Sequence, residues 1–231
     1  EFMNIAIIPA RGGSKRIPKK NIKDFLGKPI IAYSIENAIN SKLFDKVIVS
    51  TDDDEIAQVA TEYGAEVPFI RPAELSDDFS GTHEVIGHAV KSLENNGEEI
   101  RYVCCLYATA PLLKMNYLIK GYDLIKSGKW ESVIAATKFS YPIFRSFEKL
   151  ENGSLKMFFP EHYSSRSQDL SEAFHDAGQF YWASAKVWKD KPNGFSENST
   201  IVELPNYLVQ DIDTMEDWIR AENLFKLLDN N

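Results

Sequence analysis

The chain has 231 residues, 44% of them apolar and 26% charged, with a formal net charge of −8. Such a length and composition suit one full globular domain with a sizeable core. The acidic balance without a basic tail argues against nucleic acid or an anionic membrane as main partner, and no apolar run is long enough to span a bilayer or resembles a signal peptide.

Residues 5–8 are continuously apolar and predict a buried strand, which stops at Pro9. A basic turn follows, then a helix over 29–40 with Ile31, Ile35, Ala38 and Ile39 on one stripe. Residues 47–49 predict a short strand. Asp52 with Glu55 reads as a capping box opening a helix that closes at Gly64. A strand is expected over 67–70, a helix over 84–93, a central strand over 102–107, a helix over 116–125 and a strand over 133–136. The alternation breaks between Ser140 and Phe174, a stretch rich in aromatics, and resumes with strands over 179–183, 201–204 and 207–212. A last amphipathic helix over 215–228 carries Trp218, Ala221, Leu224, Phe225 and Leu228 on its apolar stripe. The pattern implies an α/β fold, a mostly parallel doubly wound sheet of the Rossmann-like kind. One domain over 3–231 is expected, with 140–174 as an inserted lobe and Glu1 and Phe2 as a cloning remnant. Cys104 and Cys105 are adjacent and should point to opposite faces of a strand, so no bridge is expected and a reducing cytoplasm is the expected location.

The basic turn is the main functional signal. From Arg11 to Lys28 there are seven Lys or Arg residues and one acid, Asp24, in a chain that is acidic overall. Gly12 and Gly13 let backbone N–H groups face a ligand closely, while Ser14, Lys15, Lys20 and Asn21 add polar reach. Concentrated positive charge directly after a first strand is what a polyphosphate needs, although neither GxxxxGK nor GxGxxG is present. In a parallel sheet ligands lie beyond the carboxyl ends of strands, and those ends carry Arg11, Thr51 with Asp52, Arg71, Thr109, and Asp211 with Asp213. Two residues apart on a strand, Asp211 and Asp213 would face one side and hold a hard divalent cation; a helix cap is the competing reading for Asp213. His83 and His88, five apart, do not share a helix face, so no zinc site is expected, and both read as surface or helix residues. Asp77 and Asp78 read as a solvated turn.

The run PARGGSKRIPKKN closely resembles the nucleotide loop of the cytidylyltransferases that activate nonulosonic acids. RPAELSDDFSGT and VQDIDTMED match the same family. The resemblance implies that Ala10, Arg11, Gly12, Gly13, Ser14, Lys15 and Lys20 hold CTP, and that Asn21, Arg71, Ser80 and Thr82 contact cytosine and ribose. Without the family, Arg71 reads equally as an ion-pair partner and Ser80 and Thr82 as caps. By the same resemblance Asp211 and Asp213 bind Mg²⁺, and Arg11 and Lys15 act in catalysis with them. The sugar half departs from the sialic acid enzymes, with Tyr107, Ala108, Thr109 in place of their Gln-Pro-Thr. FHDAGQFYW, residues 174–182, resembles instead the branch acting on pseudaminic acid. An aromatic wall of Tyr107, Phe174, Phe180 and Trp182 is expected to suit a less polar sugar, with ordinary core or dimer packing as the competing reading. His175, Asp176 and Gln179 are expected to hydrogen-bond its amides and hydroxyls, and Arg145 or Arg166 its carboxylate. Sialic, legionaminic or an octulosonic acid stay open as acceptors, as does a module that binds without catalysis. Family resemblance further implies a homodimer in which the aromatic lobe lends residues to the partner's site.

Overall fold

The computed structural model describes residues 2–76, 81–190 and 195–229. Ser80, Asp77 and Asp78 lie outside the described residues. In chain order the elements are β1 (Met3–Pro9), the two-residue strands β2 (Asp24–Phe25) and β3 (Lys28–Pro29), α1 (Ile30–Ser41), β4 (Lys46–Ser50), α2 (Asp54–Glu62) and α3 (Thr82–Asn95). Next come β5 (Ile100–Leu106), α4 (Met115–Lys126), β6 (Ser132–Lys138), β7 (Phe147–Lys149), β8 (Leu155–Met157), β9 (Phe174–Ser184), α5 (Ala185–Lys189), β10 (Ser199–Leu204) and α6 (Met215–Asp229).

Six strands form the central sheet in the order β10-β6-β9-β5-β1-β4. β1 pairs in parallel with β4 and β5, and β6 with β10, whereas β9 runs antiparallel between β5 and β6. The expected mostly parallel α/β sheet is therefore present. The reversal of β9 places its first residues, not its last, at the edge where the parallel strands end: Phe174 lies beside Lys138 and Phe180 beside Leu106.

Period-two alternation divides the core. Ala6, Ile8, Cys104, Leu106, Phe180 and Trp182 face the layer of α1, α2 and α4, while Ile5, Ile7, Val103, Cys105 and Ala183 face α3 and α5. The two cysteines thus lie buried on opposite faces, unbridged, and burial raises both thiols well above their ordinary acidity range. A third cluster joins α6 to the basic loop: Trp218, Ala221 and Ile212 pack with Ile17, Phe25 and Tyr33. Each side of the sheet is covered, which is what the continuous apolar strands require.

Three predicted elements differ. No strand forms over 67–70; the only pairing there is an isolated bridge from Ile48 to Glu66, since Pro68 lacks the N–H a ladder needs. The stretch 207–212 is a short 3₁₀ turn, Asn206–Leu208, followed by extended chain outside the sheet. The cap of α2 is Asp53, whose carboxylate accepts from Ile56 N at 2.9 Å, rather than Asp52. Between β6 and β9 the chain makes 3₁₀ turns and the two-stranded ribbon of β7 and β8, which belongs to a separate sheet. Tyr141, Phe147, Phe158 and Tyr163 are exposed there.

Candidate active site

The basic loop leaves β1 at Pro9 and is held from several sides. Ala10 N donates to Ser50 O at 2.9 Å, and Asn21, itself buried, donates its amide to Arg11 O at 3.0 Å. Gly12 is required by close approach: a Cβ there would lie 2.7 Å from Asp53 Oδ2 and 2.9 Å from its Cβ. The Gly12 N–H donates to Asp52 Oδ1 at 2.9 Å, which corrects the expectation that this amide faces a ligand. Its partner is the carboxylate that the cap reading had assigned to the next helix.

The loop closes on the segment before α6. Lys20 Nζ donates to Ile212 O at 2.8 Å and lies 3.9 Å from Asp213 Oδ1, while Arg16 donates to the same oxygen at 2.8 Å. Burial lowers the Lys20 pKa, against the pull of Asp213 and Asp211. Loss of water contact raises that of Asp211, with the Asp213 charge adding to it. The cap of α6 is supplied by Thr214 and Asp217: Asp217 Oδ2 accepts from Thr214 N at 2.9 Å and from Asp213 N at 3.1 Å. The Asp213 carboxylate is thereby spared for the loop cations, although it does not stand on a strand as expected.

Arg71 is 4% exposed. Its guanidinium donates to Ser50 O at 2.7 Å and Ser50 Oγ at 3.2 Å, and its N–H is fixed to Thr51 O. Burial lowers its pKa, and among the described residues its guanidinium bonds are to Ser50 and the Leu75 carbonyl. Thr82 opens α3, whose cap is Gly81, so its hydroxyl is not the cap and instead lies 3.5 Å from the Tyr107 hydroxyl. Tyr107 is held by Ser34, which donates to its carbonyl at 2.6 Å, and by its own N–H on Gln179 O.

These groups meet at the carboxyl edge of the sheet. A cavity of about 410 Å³ is lined by Arg11, Ser14, Lys15, Arg16, Lys20, Asn21 and Asp213. A second, of about 350 Å³, shares Arg11, Lys20, Asn21 and Asp213 and adds Arg71, Thr82, Tyr107, Thr109 and Asp211. A third, of about 260 Å³, continues past Thr82 and Tyr107 to Tyr181, Asp176, Trp188 and Phe195. One end of this groove is cationic and the other aromatic, with the two aspartates between them.

Several expected sugar contacts are not in that groove. Phe180 is fully buried on the opposite face of β9, and with Trp182 it lies so close to Gly121 of α4 that a Cβ there would come within 2.9 Å of Phe180 Cε2. Gln179 is 3% exposed and donates to Leu208 O at 2.6 Å, tying down the segment that leads to Asp211. His175 stacks edge-on with Phe139, and Arg166 forms a bidentate pair with Asp169, at 2.7 and 3.1 Å. Arg145 stands exposed in a 3₁₀ turn. None of the last three lines the groove. The residue that sequence reading passed over is Tyr181, whose ring centroid is 5.2 Å from that of Tyr107 and whose hydroxyl meets Asp176 at 2.7 and 2.8 Å. Its signal was the alternation of Phe180, Tyr181 and Trp182, in which the middle residue must face the other way. Phe180→Ala should lower unfolding stability by about 3–5 kcal/mol in denaturant titration, while leaving KM for a sugar substrate unchanged.

Residues 5–139, more than half the chain, match the family described as Cytidylyltransferase. The chain belongs to the cytidylyltransferase family. It is a nucleotidyltransferase by that membership. This cytidylyltransferase is 50% identical over 224 residues to a protein of Campylobacter jejuni named pseudaminic acid cytidylyltransferase, with 97% of each chain covered. It is 31% identical to the CMP-N,N'-diacetyllegionaminic acid synthase of Legionella pneumophila, covering 96% of each, and 31% identical to the N-acylneuraminate cytidylyltransferase of Escherichia coli, of which it covers 50%. Among solved structures, CMP:2-keto-3-deoxy-manno-octonic acid synthetase complexed with CTP superposes with a TM-score of 0.72 over 97% of this chain and 98% of the other, at 16% identity. At that identity the likeness concerns the fold. It confirms the α/β architecture built above.

Proposed function

We propose that this cytidylyltransferase transfers CMP from CTP to the anomeric hydroxyl of pseudaminic acid, releasing pyrophosphate. The observation that carries the reading is the 50% identity, over 97% of both chains, to the Campylobacter jejuni protein of that name. The aromatic end of the groove supports it, since a sugar acid with a deoxy tail and acetamido groups is less polar than one with a hydroxylated tail.

The sugar oxygen attacks the α-phosphorus as the bond to the β-phosphate oxygen breaks, and the hydroxyl proton is lost to solvent. Catalysis is then positioning and charge neutralisation. Arg11 and Lys15 face the departing pyrophosphate, with Lys20 held by Ile212 O to support them. Arg71, Asn21, Thr82 and Thr109 surround the nucleoside, and Ser80 is assigned to it by resemblance alone. Tyr107 stands where the nucleotide and sugar chambers meet.

Asp211 and Asp213 suit Mg²⁺. Among the described residues no third acidic, imidazole or thiolate ligand joins them, which matches an ion that keeps waters and takes phosphate oxygens. Asp213 already draws positive charge, pairing with the Arg16 guanidinium at 2.8 Å. Bound there, Mg²⁺ would neutralise charge on the phosphate oxygens.

The exposed aromatics of 139–163 are assigned to a homodimer contact, through which Arg145, Arg166 and His175 would serve the partner's sugar site; sedimentation at micromolar concentration should give a dimer. A cytoplasmic location follows from the use of CTP. The test is pyrophosphate release from CTP and Mg²⁺ with pseudaminic acid, N-acetylneuraminic acid or no sugar. Turnover confined to pseudaminic acid is expected; turnover with N-acetylneuraminic acid instead would overturn the acceptor assignment.

A further inference from the structure

The structure assigns Ser50 the part of a positioning residue, whose carbonyl and hydroxyl grip one edge of the Arg71 guanidinium and turn another toward the nucleobase of CTP. This rests on the nucleotide reading proposed above and adds the residue that aims the arginine.

Ser50 closes β4 and is fully buried. In the ladder it stands beside Pro9, the last residue of β1, and the next amide of that chain, Ala10 N–H, donates to Ser50 O at 2.9 Å. The same carbonyl accepts a second time, from Arg71 Nη2 at 2.7 Å, while Ser50 Oγ accepts from Arg71 Nε at 3.2 Å. Nε and Nη2 share one edge of the planar guanidinium, so a single residue takes that edge with two acceptors. The backbone of Arg71 is tied next door, its N–H donating to Thr51 O at 2.8 Å. Both ends of the arginine are therefore referred to two consecutive residues at the end of β4. Since Ser50 O also holds Ala10, the basic loop and Arg71 are registered on one atom.

Of the five guanidinium N–H groups of an arginine, three are engaged among the described residues: two on Ser50 and one, from Nη1, on Leu75 O at 3.4 Å. One N–H each on Nη1 and Nη2 remains, on a side chain that lines the cavity of about 350 Å³ with Asn21 and Thr82. Two parallel N–H groups suit two neighbouring acceptors. Cytosine offers such a pair in O2 and N3. Uracil keeps O2 but carries a proton on N3, which would set a donor against a donor. Base choice then depends on how the guanidinium plane is aimed. Without the Ser50 hydroxyl, Nε–H loses its acceptor and the plane is held by two carbonyls alone, the Leu75 one at 3.4 Å. The hydroxyl does not touch Ala10, so its removal acts on the base end of the nucleotide.

The experiment measures the Kd of CTP and of UTP, with Mg²⁺ and without sugar, by titration calorimetry on the full chain. Leaving out the sugar makes the result independent of which acceptor is used. The wild type should prefer CTP by about tenfold or more, the size expected when a hydrogen bond to a charged group is lost. Ser50→Ala should bring that ratio to within about threefold by weakening CTP. General damage to the fold would weaken both nucleotides alike and leave the ratio standing. Should Ser50→Ala melt too low for titration, Ser50→Cys, of nearly the same shape but a weaker acceptor, takes its place and should lower the ratio in the same sense. No preference in the wild type, or a ratio unchanged in the variant, would overturn the assignment while leaving the reaction standing. No binding of CTP by the wild type strikes the nucleotide reading itself, and the assignment with it.

Discussion

Lys15→Ala should lower turnover by about 10²–10³-fold, with the fold intact. Lys15 lies exposed on the loop after β1, outside all three buried clusters, so its truncation should change unfolding stability by no more than about 0.5 kcal/mol. It lines the cationic cavity with Arg11, Arg16 and Lys20. Charge that develops on the pyrophosphate as it departs is met there by preorganised cations. A loss in kcat, rather than in KM for CTP alone, is the signature of an interaction made in the transition state. Pyrophosphate release and a thermal melt on the same preparation give both readouts. Near-normal kcat would remove Lys15 from its assigned role.

The second large effect is expected at Asp211, and there activity and stability should move in opposite directions. In the folded chain the Asp211 carboxyl is raised above its ordinary pKa, first by loss of water contact and then by the Asp213 charge. A carboxyl with a raised pKa favours folding when protonated, and that contribution is lost as pH rises through the raised value. At neutral pH its charge therefore opposes folding, and Asp211→Asn removes the opposition. The variant should melt no lower than the wild type at pH 7 and should gain less, or nothing, below the carboxylate range. Its turnover should fall by about 10²-fold or more, because a neutral amide is a poor Mg²⁺ ligand. Chelator should abolish wild-type turnover and Mg²⁺ should restore it. Undiminished activity in the variant, still sensitive to chelator, would place the ion elsewhere.

The residues of the cationic part of the groove were legible in the sequence because they fall in the basic loop, at the end of β5 or in polar stretches that directly follow apolar runs, even where those runs do not form strands. Arg11, Lys20, Asn21, Arg71, Thr82, Tyr107, Thr109, Asp211 and Asp213 come from six separate stretches, yet they share one cavity. Aromatic character alone could not supply the sugar half. Alternation along β9 separates Tyr181 from Phe180 and Trp182, but which of the two sets meets the helices and which the groove is decided by the pairing of β9 with β5 and β6. Hence Phe180 and Trp182 are core while Tyr181 faces the groove. Pro68 stands inside the run 67–70 and removes a ladder N–H, whereas the run 207–212 begins inside the 3₁₀ turn Asn206–Leu208 that Pro205 precedes. Gly12 illustrates the converse: the sequence marks the tight turn but cannot show that Asp52 takes its amide.

The alternation along β9 also bears on how acceptor choice can diverge among such enzymes. Phe180 and Trp182 bear on folding through α4, and Tyr181, between them, faces the groove. A lineage can exchange the groove-facing side chain without disturbing the two that keep the sheet packed. New acceptors thus become accessible by single steps that cost little robustness, within a strand whose neighbouring positions tolerate almost no change.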